Sequence, residues 1–269
     1  MLTHCSKLRT LRLTGCRGLG SLELTCATLR SLHVCWCTHL TLIALECPSL
    51  TSLYAYGCAQ LSSARVNSQR LSTLELQKCG ALDDAILTGL TSGWGSSAAR
   101  LEVLNLTDCK RLIAPKLTCA RLRVLHLYNC LQLRSLSVHC PALGLLTLTH
   151  CGALEALTLV APKLHTLLAA GCTRLPDGVM AAALTACGAL HTIDLKGSPL
   201  LGEATRDAAK VVVERQRQMQ AHPPPQRAES SEGEQTEGEQ SAEAETEAPS
   251  KKVARAATMT ATRAAADVC

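Results

Sequence analysis

Residues 122–133 read LRVLHLYNCLQL, and the same skeleton stands at 8–19 as LRTLRLTGCRGL and at 29–40 as LRSLHVCWCTHL. Counting the first leucine as zero, apolar residues recur at +3 and +5, cysteine at +8 and leucine at +11. Leu8, Leu29, Leu50 and Leu71 lie 21 residues apart; after a step of 30 come Leu101, Leu122, Leu143 and Leu164 at the same spacing, and a step of 26 leads to Leu190. Nine copies of one unit define a solenoid, because a single unit cannot bury its own apolar face whereas stacked units bury a continuous core.

The pattern L-x-x-L-x-L-x-x-C-x-L is that of a leucine-rich repeat with cysteine at the turn. The second half of most coils repeats the alternation, as in LGSLELTC, LRSLSVHC and LEALTLVA, so extended segments are expected on both sides of the coil. Two stretches differ: LDDAILTGLTSGWGSSAARL (82–101) and LPDGVMAAALTACGAL (175–190) are long and rich in Ala and Leu, and predict short convex helices with Asp83 and Asp177 as N-caps. The expected fold is an α/β leucine-rich-repeat solenoid: a parallel concave sheet, strand-rich short 21-residue coils and a few convex helices over residues 1–201.

The coil 164–190, LHTLLAAGCTRLPDGVMAAALTACGAL, resembles the 26-residue cysteine-containing repeat of F-box/LRR proteins, with Cys172, Asp177 and Cys187 on the motif positions. That resemblance covers residues 1 to about 201. It implies a module that selects a protein target for an SCF-type ubiquitin ligase, acting in ubiquitin-dependent protein catabolism. The F-box itself is expected to be absent from this chain, since Cys5 already belongs to a repeat column; an F-box upstream would add ubiquitin-ligase components as partners. The alternative is a generic intracellular scaffold with no link to ubiquitin.

Sixteen cysteines invite a metal or redox reading. Eight occupy the +8 column (Cys16, Cys37, Cys58, Cys79, Cys109, Cys130, Cys151, Cys172) and six lie three residues before an anchor leucine (Cys5, Cys26, Cys47, Cys119, Cys140, Cys187). A zinc site needs four ligands converging on one point, whereas these spacings send successive cysteines to opposite edges of a coil. Stacking at about 4.8 Å would not by itself forbid disulfides, but an intracellular setting argues against them. Both columns read as structural, the thiol giving a weak hydrogen bond to a neighbouring carbonyl. Alternation turns Cys35 outward and Cys37 inward, so the C-x-C of HVCWC is not expected to chelate.

No metal, cofactor or catalytic residue is expected. His33, His126, His165 and His191 sit on different coils at what the repeat makes equivalent surface positions, and no phosphate loop, H-E-x-x-H or G-x-S-x-G motif occurs. The chain is therefore expected not to be an enzyme. The body, residues 1–201, carries 18 Lys/Arg against 10 Asp/Glu, a balance that suits an acidic protein partner without specifying nucleic acid. The uncharged run 135–154 is broken by Ser, Thr, His and Pro, so no membrane span is expected, and the start has no secretory apolar core. Location is expected to be cytoplasmic or nuclear.

Residues 202–222 are expected to form a C-terminal capping helix, with Ala204, Ala208, Val211 and Val212 on one face to cover the last coil. The remainder, 223–269, is dominated by SSEGEQTEGEQSAEAETEAPS and is expected to be a disordered tail.

With +3 and +5 inward, period-two alternation sends +2, +4 and +6 outward onto the concave sheet. Those columns collect Arg12, His33, Tyr54, Tyr56, Glu75, Asn105, His126, Tyr128, Asp194 and Lys196, and with them every tyrosine in the chain. Tyrosine contributes large contact area with a polar tip. A protein or peptide target on the concave face is the expected partner, anchored at Tyr54, Tyr56 and Tyr128.

Overall fold

The computed structural model describes residues 7–88 and 100–221. The expected disordered tail and Cys269 lie outside the described residues.

Nine short strands, numbered in chain order, form one parallel sheet: β1 (Thr10–Arg12), β3 (Ser31–His33), β5 (Ser52–Tyr54), β7 (Thr73–Glu75), β8 (Val103–Asn105), β10 (Val124–His126), β12 (Leu145–Thr147), β14 (Thr166–Leu168) and β15 (Thr192–Asp194). Equivalent positions pair across every coil: Tyr54 lies opposite Glu75, Glu75 opposite Asn105, and Asn105 opposite His126. The register of the sheet therefore continues across the longer steps before Leu101 and Leu190.

The other side of the coils carries two three-stranded parallel sheets. β2 (Ser21–Thr25), β4 (Leu42–Glu46) and β6 (Ser63–Asn67) form the first; β9 (Lys116–Thr118), β11 (Ser135–His139) and β13 (Ala156–Val160) form the second. Between them lies α1 (Ala85–Thr88), where the 30-residue coil departs from the strand pattern, and α2 (Asp177–Ala186) replaces a strand after β13. Both helices fall within the stretches whose composition predicted them.

The core is a leucine ladder closed by thiols. Leu32, Leu53, Leu74, Leu104, Leu125, Leu146 and Leu167 at +3 are all fully buried. Below them the +8 thiols donate to the +5 carbonyl of the preceding coil: Cys58 to Val34 at 3.0 Å, Cys79 to Ala55 at 3.1 Å, Cys130 to Leu106 at 3.3 Å and Cys151 to Leu127 at 3.0 Å. The second cysteine column makes longer contacts, Cys47 to the Leu24 carbonyl at 3.7 Å and Cys140 to that of Leu117 at 4.0 Å. Burial pushes the Cys58 and Cys172 thiols up to about 12, so both stay protonated, as a hydrogen-bond donor must.

One feature of the turn is uniform. The residue at +7 has positive φ in all nine coils: Gly15, Gly57, Gly171 and Gly197 in four, Trp36, Lys78, Asp108, Asn129 and His150 in the other five. The ladder continues through it, the +7 N–H donating to the +6 carbonyl of the next coil, as in Trp36 to Tyr56 at 2.8 Å and Asn129 to Thr149 at 2.9 Å. The left-handed residue reverses the chain so that cysteine can turn inward at +8. The non-glycine residues there carry a conformational cost that glycine and asparagine bear most easily.

α3 (Glu203–Ala221) closes the last coil, packing on α2 and β15 with Thr205, Ala209 and Val212 buried, whereas Ala204 and Val211, expected on the covering face, are exposed. Asp177 was expected to cap α2, but that helix has Pro176 at its N-cap and no side-chain cap bond. The Asp177 carboxylate instead accepts from the α3 end: Oδ1 from the Gly202 and Thr205 amides at 2.8 and 2.9 Å, and Oδ2 from that of Ala204 at 3.2 Å. Its own helix leaves the carboxylate free to reach 25 residues onward, where orphan amides and the positive helix end attract it. Those bonds, that with Thr205 foremost, hold its pKa below the ordinary range. Asp83 behaves as expected, its carboxylate accepting from the Ala85 amide at 3.0 Å.

Candidate functional site

The outward columns of the nine-stranded sheet divide into an open part and a closed part. In coils 2 and 3, His33 and Tyr54 stack with centroids 4.5 Å apart and planes at 13°. Trp36 and Tyr56 meet edge to face at 4.6 Å and 66°. Lys78 Nζ stands 6.0 Å from the Trp36 ring and 6.0 Å from that of Tyr56. Trp36 is 45% exposed, unusual for the largest apolar side chain. Its left-handed backbone brings the ring over Gly57, where a Cβ would meet it at 2.5 Å, so any larger residue at 57 would displace it. A second, smaller group lies three coils on: Tyr128 meets His150 edge to face at 5.5 Å, beside a hydrogen bond from Asn129 Nδ2 to Asp108 Oδ1.

The closed part runs through the middle of the +4 column, and here the outward expectation is corrected. Glu75, Asn105 and His126 lie on the sheet face, in register with Tyr54, but are only 4, 6 and 6% exposed. Period-two alternation sets the direction of a side chain; the side chains beside it set its exposure. Each of the three is held by polar neighbours on or beside the same face. Gln77 Nε2 donates to Glu75 Oε2, Asn105 Oδ1 accepts from the Thr107 amide at 3.1 Å, and His126 Nδ1 and Thr147 Oγ1 are paired at 3.1 Å. Burial raises the Glu75 carboxyl to about 6, against the pull of hydrogen bonds from Asn105 and Gln77. Burial likewise lowers His126 to about 4, so its ring is neutral at pH 7. Gln77 Oε1 is the one buried side-chain N or O atom among the described residues without a hydrogen-bond partner.

The remaining expected residues stand at the ends of the face. Arg12 is exposed, Asp194 is half-buried with Oδ1 accepting from the Lys196 amide at 3.2 Å, and Lys196 is exposed. Arg12 lies opposite His33 across β1 and β3 and so borders the ring cluster, whereas Asp194 and Lys196 stand at the far end of the sheet, with seven strands between β1 and β15. The four histidines grouped as equivalent fall in two columns. His33 and His126 are at +4; His165 and His191 are at +1, stacked on each other at 5.6 Å and 9°.

Cys35 Sγ donates to the Tyr54 carbonyl at 3.5 Å, and burial pushes its thiol up, the opposite of what a reactive cysteine needs. Among the described residues no three His, Cys, Asp or Glu side chains converge as metal ligands, and no helix is long and apolar enough to cross a membrane.

Trp36, Lys78 and His150 were missed because alternation says nothing about +7. A signal was present: glycine at four of nine +7 positions and Asn or Asp at two more mark a left-handed site.

No family model and no curated protein matches the chain. Among solved structures, a chain from the crystal structure of the Rad7 and Elc1 complex in yeast is similar, with a TM-score of 0.38 and 15% identity over 67% of this chain and 71% of that one. A likeness at that distance says nothing about a partner.

Proposed function

We propose that the chain is a non-enzymatic protein-interaction module, cytoplasmic or nuclear, that docks a protein or peptide on the concave face of its solenoid. The carrying observation is the ring cluster. The chain has only two tryptophans and three tyrosines, and Trp36, Tyr54 and Tyr56 meet at one place on the sheet face, with Tyr128 on the same face. Exposed and half-exposed rings over a rigid ladder supply contact area at small entropy cost, which is how binding hot spots are built. The test is capture of partners by the Tyr54→Ala/Tyr56→Ala variant beside Glu155→Ala, whose side chain is 52% exposed in a surface pair with Arg174. Loss of partner only from the tyrosine variant supports the reading, and equal recovery from both sinks it.

The finer reading, recognition of substrates for an SCF-type ubiquitin ligase, is supported by the F-box/LRR resemblance of coil 164–190. Under it, captured partners are ubiquitinated and accumulate when the gene is silenced; a scaffold unconnected with ubiquitin leaves their levels unchanged.

A further inference from the structure

The residues that flank the anchor leucine, at −1 and +1, run along one edge of the nine-stranded sheet. Their place in space is set by a backbone ladder: the Arg30 amide donates to the Arg9 carbonyl at 2.7 Å, that of Arg123 to Glu102 at 2.8 Å, and that of His165 to Gly144 at 3.0 Å. The edge is strongly cationic. Lys7, Arg9 and Arg30 stand at one end, Arg70, Arg100 and Arg121 in the middle, Arg123 and Lys163 toward the other end, and all eight are exposed. Against them the two columns hold a single carboxylate, Glu102. Among the described residues none of the eight is in an ion pair. Two clefts open along the edge, one lined by Lys7, Arg9 and Arg30, the other by Arg123, Lys163 and His165.

Coils stack at about 4.8 Å, inside the screening length of about 8 Å at physiological salt, so neighbouring cations on this edge repel one another. A long row of like charge with clefts between is complementary to an extended anion. The chain itself carries one: between Glu229 and Glu247 there are eight glutamates and no basic residue. From first to eighth coil the edge spans roughly 34 Å at about 4.8 Å per coil. Nineteen residues in extended form reach about 60 Å, and the seven residues between Ala221 and Glu229 add about 23 Å of tether. The segment is therefore long enough to run the length of the edge, and its charge is opposite.

We propose that the acidic segment 229–247 docks along this cationic edge in cis and masks it. The tether gives an effective concentration on the order of millimolar, so modest ionic contacts fill the edge. Nucleic acid is the less favoured occupant: apart from His165 and His191, already stacked on each other, the two columns contain no aromatic ring on which a base could stack. This docking does not depend on the ring cluster and stands or falls separately from it.

The test uses full-length protein and a fluorescent synthetic peptide of residues 229–250, read by anisotropy at low salt and again at 0.5 M salt. The chain with its eight tail glutamates changed to Gln is expected to bind the peptide at least tenfold more tightly than wild type, with binding lost at high salt. Adding Arg70→Gln/Arg100→Gln/Arg121→Gln, all at exposed positions, should abolish that binding; Tyr54→Ala/Tyr56→Ala should leave it unchanged. Equal peptide affinity for wild type and the Glu→Gln chain, no binding to the latter, survival of binding in the arginine variant, or tighter binding of a single-stranded RNA oligonucleotide than of the peptide would each overturn the proposal.

Discussion

Coils 2 and 3 and coils 4 to 6 share a register and a core, yet they treat the +4 column in opposite ways. In the first pair, rings at +4, +6 and +7 stand open and touch one another across coils. In the second group, Glu75, Asn105 and His126 fill the +4 column as a closed polar strip at 4 to 6% exposure. The repeat thus fixes where a side chain starts and which way it points; what the surface offers a partner depends on whether neighbouring side chains close over it. In the function proposed above the open coils carry the binding chemistry, and the closed ones hold the polar groups whose titration reports on folding.

Both regions rest on one thiol ladder, and breaking it gives the largest expected effect. Cys130→Asp beneath the closed strip buries an unpaired charge against the Leu106 carbonyl, at a cost of at least about 3 kcal/mol. Thermal melting is expected to show a non-cooperative or unfolded middle, whereas Cys130→Ser, which keeps a donor, should cost only about 1–2 kcal/mol. An unchanged melting temperature for Cys130→Asp would show that the column is not buried.

Next in size is His126. Its folded pKa is about 4, below the ordinary 6.5, so the neutral ring contributes stability above pH 6.5 that is lost as pH falls toward 4. The expected loss is about 3 kcal/mol over that window in urea titrations, and it should vanish in His126→Gln. The neighbouring Glu75 works the other way. Its folded pKa is raised to about 6 from 4.5, so its contribution is complete below pH 4.5 and is lost as pH rises through 6. Glu75→Gln is therefore expected to stabilise the protein at pH 7.5 by up to about 2 kcal/mol and to leave it unaffected at pH 4. If the strip were open to water like the rings, neither variant would alter the pH profile.

How much of this is legible in the sequence varies residue by residue. The anchor leucines and the Cys58, Cys79, Cys130 and Cys151 ladder follow from period alone, because each coil repeats one set of contacts. The direction of Tyr54, Tyr56 and Tyr128 follows from alternation. The burial of His126 does not, since it depends on a bond to Thr147 from another coil. The place of Trp36 among the rings comes from a φ of 60°, a backbone property that the strand period does not encode. Asp177 misled for a related reason: local spacing put it at the start of α2, while its partners are amides of Gly202, Ala204 and Thr205 far along the chain.

In stability terms the smallest effect belongs to the rings. Removing Tyr54 and Tyr56 takes away half-exposed side chains and leaves the fully buried Leu53 and Ala55 beneath them. The double Ala variant is expected to lose less than about 1.5 kcal/mol, in keeping with substitutions outside the core.

Partner capture by full-length protein, with Tyr54→Ala/Tyr56→Ala and His126→Ala measured side by side and recovery normalised to folded protein, tests the division most directly. The expected result is at least tenfold loss of recovered partner from the tyrosine variant at nearly wild-type melting temperature, while His126→Ala melts lower and still captures. Capture lost from His126→Ala and retained by the tyrosine variant would contradict the account.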